Sequence, residues 1–370
     1  MGIYTVTYAI NALSSIVKKR DAKLLNIITL GLLIFVSGTR YYMGGSDVYV
    51  YENVYENVAS MGNILRYMIL GSNLGVNENY EPGFLLICSI AKKLHFTYFG
   101  FTLVYATIFY VLLYVSLKRF VDSWAIFFAL FMYKLMFYNT FISIRQGMTL
   151  AIFCFSLKYI LDKKWMQYFI CCIVAFLMHR GAIILFPLYF VQYIPMSKKI
   201  LKYFAIGFAP TWLIRNYVDL SGVIQRVIDT IGYAQKSEGW LEAAETISII
   251  HTLECYIIIL LSIYFFDYII EKGQEAKLSL QMILFTLPIF TLCSNWIILT
   301  REKDYFVLFY GIILGYIVTS KKLSFENKQI IKACIFLAAF IGMVRYVLVF
   351  DGGVLWHFTS FVFKGCSIWS

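Results

Sequence analysis

The sequence predicts an all-α polytopic membrane protein, with about twelve spanning helices and one transmembrane domain over residues 1–370. Three observations predict this class. Only 14% of the residues are charged, against roughly 25% in soluble domains. Apolar residues make up 61% of the chain, and many apolar runs approach the ~20 residues that cross a bilayer. These runs are continuous and do not alternate, which favours helices over a membrane β-barrel.

The first two helices are predicted over residues 3–17 and 24–38. A basic loop joins them, which by the positive-inside rule lies in the cytoplasm and leaves the N-terminus outside. The second helix therefore returns the chain to the outer side. There, residues 39–80 are polar and rich in Tyr and Asn, and they are predicted as an external loop with an amphipathic piece near 61–70.

The next apolar run, residues 81–91, is too short to span a bilayer comfortably. The helix after it, residues 97–117, ends in a basic pair that indicates the cytoplasm, so it begins outside. Residues 81–93 are therefore predicted to be re-entrant or interfacial. A second crossing hidden within residues 54–72 is the alternative.

The remaining predicted helices alternate in direction, and both ends of the chain lie outside. A second external loop is predicted over residues 218–247, and the sequence contains no soluble domain and no tandem repeat. The remaining helices are predicted over residues 121–138, 147–161, 165–179, 181–195, 200–217, 248–269, 278–299, 304–319 and 330–349.

The basic residues sort by type across the predicted membrane. Cytoplasmic loops hold sixteen of the 22 Lys but only two of the ten Arg. The positive-inside rule alone depletes external Arg and external Lys alike, so it does not explain this sorting. Arg presents a planar fork that binds phosphate or carboxylate through two hydrogen bonds. The net charge of +11 therefore does not indicate nucleic acid; the external Arg residues indicate an anionic ligand on the outer side. They are Arg40, Arg66, Arg145, Arg180, Arg215, Arg226, Arg301 and Arg345.

Two of these Arg residues belong to polar pairs at the two ends of one helical hairpin. Arg145 and Gln146 start a helix, where an anion is already favoured by the exposed N–H groups. His179 and Arg180 end the next helix, so both pairs return to one face of the membrane. The alternatives are that the Arg145 side chain snorkels to the membrane interface and that His179 is an interfacial anchor. As a functional residue, His179 would orient a hydroxyl or accept a proton.

Three further positions have a functional and a structural interpretation. Arg40 and Asp47 flank a Gly-Gly turn and form either part of a site or a local ion pair. Glu81 is either a carboxylate at a helix start or a site acid. Arg301 ends a predicted helix and is either a ligand of the anion or part of a solvated turn. The eight Cys show no CxxC or Cys/His spacing, so neither a metal site nor a disulfide framework is predicted.

Several short motifs follow one another along the chain. They are Arg40-Tyr41, Gly44-Gly45-Ser46-Asp47, Tyr51, Glu81-Pro82-Gly83-Phe84, Ile144-Arg145-Gln146-Gly147, Phe176 to Ala182, and Arg301 with Tyr305-Phe306. Together and in this order they resemble the EpsG-like branch of the Wzy-type polysaccharide polymerases. Two positions depart from the pattern: Met178 stands between the aromatic residue and His179, and Arg180 stands where the family more often has a small residue.

The resemblance implies a glycosyltransferase with a GT-C-like helical fold in the bacterial inner membrane, with its active site facing the periplasm. Such enzymes transfer a growing glycan from undecaprenyl diphosphate to the non-reducing end of another lipid-linked repeat unit. The product is O-antigen, capsule or exopolysaccharide. The implied partners are this lipid-linked oligosaccharide, as donor and acceptor, and the bilayer, with a chain-length regulator protein left open. The resemblance implies no cofactor, no metal and no nucleic acid.

The predicted site combines these residues. Arg145 and Arg301 bind the diphosphate, with Gln146 beside them and Arg40 and Arg180 in support. Asp47, Glu81 and His179 are the candidates for the base that an acceptor hydroxyl needs. The alternatives are a flippase or transporter for lipid-linked oligosaccharide, which predicts polar residues near mid-bilayer, and a glycan ligase or an O-acyltransferase-like enzyme.

Overall fold

The computed structural model describes residues 1–71, 74, 79–230 and 248–370. These residues form helices and turns, together with two isolated backbone bridges, and no strand occurs among them. The prediction of an all-α protein is therefore confirmed. Helix packing divides the chain into two compact units, residues 1–186 with 325–370, and residues 187–324. The single transmembrane domain over residues 1–370 stays a prediction.

Helices of the first unit come from both ends of the chain. The long helix α8 packs against α9 and α6, and α2 packs against α1 and α6. The last α-helix of the chain, α19 (Phe325–Val349), packs against α7. The bounds of the others are α1 Gly2–Leu13, α2 Lys19–Gly38, α3 Asp47–Glu56, α4 Met61–Leu70, α5 Pro82–Lys93, α6 Tyr98–Leu117, α7 Trp124–Lys134, α8 Ile144–Leu161 and α9 Trp165–Met178.

Small residues bring the helices of this unit close together. A Cβ atom added at Gly38 in α2 would lie 2.9 Å from the side chain of Leu103 in α6. One added at Gly342 in α19 would collide with the ring of Tyr133 in α7. Small residues at such crossings allow the close backbone approach on which helix packing in lipid depends.

The second unit is built around one buried helix, α18, which is buried along almost its whole length. A helix that is apolar on all sides is typical of a core position or a membrane span. In this unit α15 packs against α18, and α13 packs against α10 and α16. The bounds are α10 Lys198–Phe208, α11 Thr211–Ile214, α12 Ser221–Thr230, α13 Ile249–Tyr264, α14 Phe266–Ile270, α15 Gln274–Ile283, α16 Thr286–Phe290, α17 Ile297–Arg301 and α18 Asp304–Thr319.

Four helices among the described residues are long and apolar enough to cross a membrane: Lys19–Gly38, Tyr98–Leu117, Ile144–Leu161 and Phe325–Gly353. Shorter apolar helices add to them, so the chain is a membrane protein. The predicted count of about twelve spanning helices is not confirmed.

Two predicted spanning helices have a different form in the structure, and both contain a proline. Residues predicted as one helix over 278–299 are divided among α15, α16 and α17, and Pro288 lies in α16. The segment predicted as a helix over 181–195 is a 3-10 helix, Arg180–Tyr193, with Pro187 inside it. Proline lacks the N–H donor and clashes with the preceding turn, which explains why an apolar run did not become one regular helix.

The predicted external loops contain helices of their own. Within residues 39–80 lie α3 and α4, and α4 coincides with the amphipathic piece predicted near 61–70. Each has ten residues, or about 15 Å at ~1.5 Å per residue, so neither helix is long enough to cross alone, and the crossing considered within 54–72 stays an untested alternative. Helix α5 has 12 residues, also too short to cross alone, so a re-entrant or interfacial placement stays the prediction for 81–93. Of the second loop, residues 231–247 lie outside the described residues.

Candidate functional site

Four residues that the sequence singled out meet in the first unit. Glu81 precedes α5, Arg145 lies in the first turn of α8, and His179 and Arg180 follow α9. We call these four residues the Glu81 cluster. The hairpin of α8 and α9 brings Arg145 close to the end of α9. Glu81, which comes from elsewhere in the chain, contacts both Arg145 and His179.

Glu81 is the acceptor at the centre of this cluster. Its side chain is 1% exposed, and Arg145 forms an ion pair with it through Nη1 and Oε2. The other oxygen, Oε1, lies 3.3 Å from His179 Nδ1 and accepts a hydrogen bond of 3.2 Å from the backbone N–H of Arg180. A buried carboxylate is tolerated only when it is paired and hydrogen-bonded, and three donors meet that requirement here.

The backbone around Glu81 turns this carboxylate away from its own helix. Glu81 is the N-cap of α5, followed by Pro82, and its side chain makes no capping hydrogen bond. Of the two interpretations of Glu81, the helix-start carboxylate therefore does not describe its contacts. Gly83 lets α5 approach the end of α9, because a Cβ there would lie 2.6 Å from the carbonyl oxygen of Leu177. This close approach brings Glu81 within reach of His179.

Arg145 is held in place by aromatic rings as well as by Glu81. Its guanidinium carbon lies 5.7 Å from the ring centroid of Tyr51, 5.3 Å from that of Tyr80 and 6.0 Å from that of Phe84. Cations within about 6 Å of a ring face are attracted by its quadrupole. The side chain is still 16% exposed, so the cluster leaves part of this cation at the surface.

A wide turn sets the direction in which Arg145 leaves the backbone. Residues Tyr138–Ile142 form a π-helical turn directly before α8, and Gly147 packs against the carbonyl oxygen of Asn139 with no room for a side chain. Such turns are rare and occur frequently at functional sites. Apart from the polar pair Asn139-Thr140, no sequence pattern predicts this turn.

His179 has the geometry of an oriented imidazole. Its backbone is extended, with φ −159° and ψ 125°, and its side chain is 18% exposed. With Nδ1 facing Glu81, the tautomer with its proton on Nδ1 would donate to Oε1 and leave Nε2 as an acceptor. A carboxylate that fixes the tautomer and later stabilises the protonated ring is the usual partner of a catalytic His.

A comparison with known protein families indicates which class of protein carries this site. The EpsG family model matches residues 23–360, nearly the whole chain. The chain belongs to the EpsG family. EpsG-like proteins are Wzy-type polymerases, so the resemblance seen in the sequence is confirmed. Membership indicates a polysaccharide polymerase with a glycosyltransferase-like role in general terms. No curated protein and no solved structure matches the chain at a significant level.

Asp47 and Gln146, two further residues of the family motifs, lie next to the Glu81 cluster. Asp47 is half-buried in the first turn of α3, and Gln146 is buried beside Arg145. Burial raises the pKa of the Tyr51 hydroxyl; Arg145 opposes this shift, while Asp47 and Glu81 add to it. The charges of Asp47, Glu81 and Arg145 therefore act on the same hydroxyl.

Arg40 is buried, although the sequence placed it at an external helix end. Arg40 is only 4% exposed, and its Nη1 donates to the carbonyl oxygen of Ser37. The guanidinium lies 5.3 Å from the ring centroid of Phe141, and Nε has no hydrogen-bond partner among the described residues. The backbone around Arg40 pairs with the chain around Ser360. These contacts hold the C-terminal segment against the end of α2.

Arg301 belongs to the second unit, at the C-terminal end of α17, and it is exposed. The turn that follows it contains a buried carboxyl group, Glu302. Burial raises the pKa of Glu302 to about 8, and Asp304 adds to the shift, while Arg301 and Lys303 oppose it. The solvated turn was one of two interpretations from the sequence, and it does not describe Glu302, whose burial the composition does not reveal.

The aromatic residues of the EpsG motifs and the first loop have different surroundings. Tyr51 and Tyr55 are buried, whereas Tyr49 is 58% exposed. The rings of Tyr42 and Tyr49 stack with their centroids 5.1 Å apart, and the Tyr42 hydroxyl donates to Glu52. Tyr42 has φ 44°, which bulky residues rarely adopt unless their surroundings hold them there. The stack therefore holds an exposed aromatic surface beside α3.

Proposed function

We propose that this chain polymerises lipid-linked oligosaccharide repeat units at the outer face of the bacterial inner membrane. It transfers the growing glycan from undecaprenyl diphosphate to the non-reducing end of another lipid-linked unit, to build O-antigen, capsule or exopolysaccharide. The observation that carries this proposal is the Glu81 cluster, which combines a partly exposed Arg145 with an oriented His179. Membership of the EpsG family supports the reaction class.

In this proposal Arg145 binds the diphosphate of the donor. The glycosyl bond breaks toward the diphosphate, so negative charge develops on its oxygens in the transition state. A cation already fixed by Glu81 and three aromatic rings stabilises this charge without reorganising during the reaction. The start of α8 adds the favourable end of its helix dipole.

His179 is the base that takes the proton from the acceptor hydroxyl. Of the three candidates it alone is a ring oriented by a carboxylate with a second nitrogen remaining. Glu81 already accepts hydrogen bonds at both oxygens and is assigned to position His179 and Arg145. Asp47 remains the alternative base, because it lies beside the same tyrosine hydroxyls.

The other Arg residues have supporting roles. Arg180 contributes its backbone N–H to Glu81, and Arg40 stabilises the end of α2 from inside the unit. Arg301, which belongs to the second unit, stays a proposed diphosphate ligand on the grounds of the family motif and its exposure. The stacked rings of Tyr42 and Tyr49 are proposed to contact sugar rings, and a chain-length regulator is the protein partner left open.

The class of reaction is tested by the surface glycan of a strain from which this gene is deleted. Loss of a polymerase leaves each lipid carrier with one repeat unit, since synthesis and export of the unit continue. We expect a gel of this glycan to show a single-repeat band in place of a ladder, and a ladder again after the gene is restored. Complete absence of surface glycan would instead indicate a flippase or a ligase, and an unchanged ladder would exclude all three classes.

A further inference from the structure

Helix α4 is a separate short helix that is closed at both ends. Ser60 caps its start, because the Ser60 hydroxyl accepts a hydrogen bond of 3.4 Å from the N–H of Asn63. Gly71, with φ 65°, ends it in the left-handed conformation that favours glycine. Its ten residues are about 15 Å long, whereas the hydrocarbon layer of a bilayer is ~30 Å thick. Alone, α4 therefore lies beside a membrane or at its surface.

The side chains of α4 divide it into three faces. Helical residues follow one another at about 100°, so Ile64 and Tyr67 share one face. Ile64 is fully buried and Tyr67 half-buried, which makes this the face that packs against α5 and the rest of the unit. A second face is exposed and apolar, and we call it the α4 stripe: Met61, Leu65, Met68 and Ile69. The third face is exposed and mainly polar, with Gly62, Asn63, Arg66 and, at the end of the helix, Leu70.

The α4 stripe has the spacing of a core face but is not covered by the unit. Apolar residues at i, i+4, i+7 and i+8 normally form the surface with which an amphipathic helix packs on a core. In α4 the neighbouring face makes that contact through Ile64, and Ile69 of the stripe is left 78% exposed. An exposed apolar patch rimmed by polar residues is typical of a surface that meets a membrane or another protein.

Lipid is the apolar environment next to this part of the unit. The chain is a membrane protein, and α5, on which α4 packs, also packs against the apolar helix α9. Helix α9 exposes Ile170 and Ile173, and exposed apolar side chains of a membrane helix contact acyl chains. The side chains of the α4 stripe are aliphatic or thioether groups, which suit acyl chains and ask for no hydrogen-bond partner. Asn63 and Arg66 lie on a different face and can stay in water.

We infer that α4 lies in the plane of the membrane, at the boundary between the headgroups and the acyl chains. The α4 stripe enters the acyl region by about 5–10 Å, and the face with Asn63 and Arg66 is turned toward water. Because α4 packs against α5, whose N-cap is Glu81, this contact with lipid holds the Glu81 cluster at the membrane surface. The placement requires a membrane but not the polymerase reaction.

The test measures the depth of single positions in the full chain, reconstituted in lipid vesicles. One nitroxide at a time is attached to an unnatural amino acid that carries a ketone, so the native cysteines stay in place and unlabelled. Electron paramagnetic resonance then compares relaxation by oxygen, which concentrates in lipid, with relaxation by a nickel chelate, which stays in water. We expect oxygen to dominate at positions 65 and 69, and the nickel chelate to dominate at positions 63 and 66.

Position 108 is the matched control, because Ile108 is exposed near the middle of α6, a helix long enough to cross the bilayer. Oxygen should dominate there more strongly than at 65 and 69, since a helix in the membrane plane is shallower than the bilayer centre.

Three results would overturn the placement. Dominance of the nickel chelate at 65 and 69 would mean that the α4 stripe faces water. Weak relaxation by both reagents would mean that a protein surface covers the stripe. A depth equal to that of position 108 would mean that the segment crosses the bilayer. Thermal unfolding checks each labelled protein, and positions 61 and 68 of the same stripe replace any position at which the label prevents folding.

Discussion

Replacing Arg145 by alanine is expected to leave the protein in the membrane and to reduce its glycan to single repeat units. The variant loses the cation that Glu81 and the rings of Tyr51 and Tyr80 hold in place. Removing one preorganised group that stabilises transition-state charge typically lowers a rate about 10²–10³-fold. The measurement is the glycan ladder on a gel, with the amount of membrane-inserted protein determined in parallel.

Two further variants make this result specific to the site. Arg145→Lys keeps the charge but loses the planar fork and much of the stacking, so we expect short chains between those of the wild type and the alanine variant. Arg66→Ala removes an exposed Arg of α4, which also lies in the predicted external set, and should keep the full ladder. A ladder of normal length from Arg145→Ala would refute the role given to Arg145, and equal losses from both alanine variants would indicate a general charge effect.

Glu81→Gln is expected to have the second large effect, on stability as well as on rate. The amide has the shape of the carboxylate but no charge, and one of its two acceptor oxygens becomes an NH2 donor. Arg145 therefore loses its ion-pair partner, and an NH2 group must face either Arg145 or the side of His179 and the Arg180 N–H. Breaking a buried ion pair on one side costs roughly 3–5 kcal/mol, with the lower value expected here because Arg145 is partly exposed. We expect a lower unfolding temperature and an almost complete loss of polymer.

The double variant Glu81→Gln with Arg145→Met separates stability from chemistry. It removes both charges, so the unfolding temperature should recover toward that of the wild type while polymerisation stays lost. Groups that interact directly show effects on stability that do not add, and a coupling of at least about 1 kcal/mol is expected. Strictly additive losses would mean that Glu81 and Arg145 do not act as a pair.

The sequence predicted part of this site because part of it is local. Arg145 and His179 start and end two helices joined by a short basic turn, so their proximity follows from the hairpin alone. Glu81 is 64 residues from Arg145 and 98 from His179, and no periodicity reports a contact at such distances. The sequence alone therefore left two interpretations of this carboxylate, and only the packed structure shows its partners. Arg40 shows a second limit of the sequence. An Arg at the end of an apolar helix has the same sequence pattern whether it is exposed or buried, so the burial of Arg40 could not be predicted.

The same distinction applies to the fold. Apolar runs predicted the long helices such as α2 and α6 within a few residues, because length and hydropathy define them. They did not predict the breaks within 278–299 or the 3-10 helix at Arg180–Tyr193, where proline competes with a continuous apolar pattern.

The most direct test of the central claim is polymerisation by the purified protein alone in lipid vesicles. The sole substrate is the lipid-linked repeat unit from the deletion strain, in buffer containing a metal chelator. We predict a ladder of lipid-linked glycans and the release of one undecaprenyl diphosphate for every unit added. Folded wild-type protein that leaves the substrate as single repeat units, with no undecaprenyl diphosphate released, would contradict the assignment.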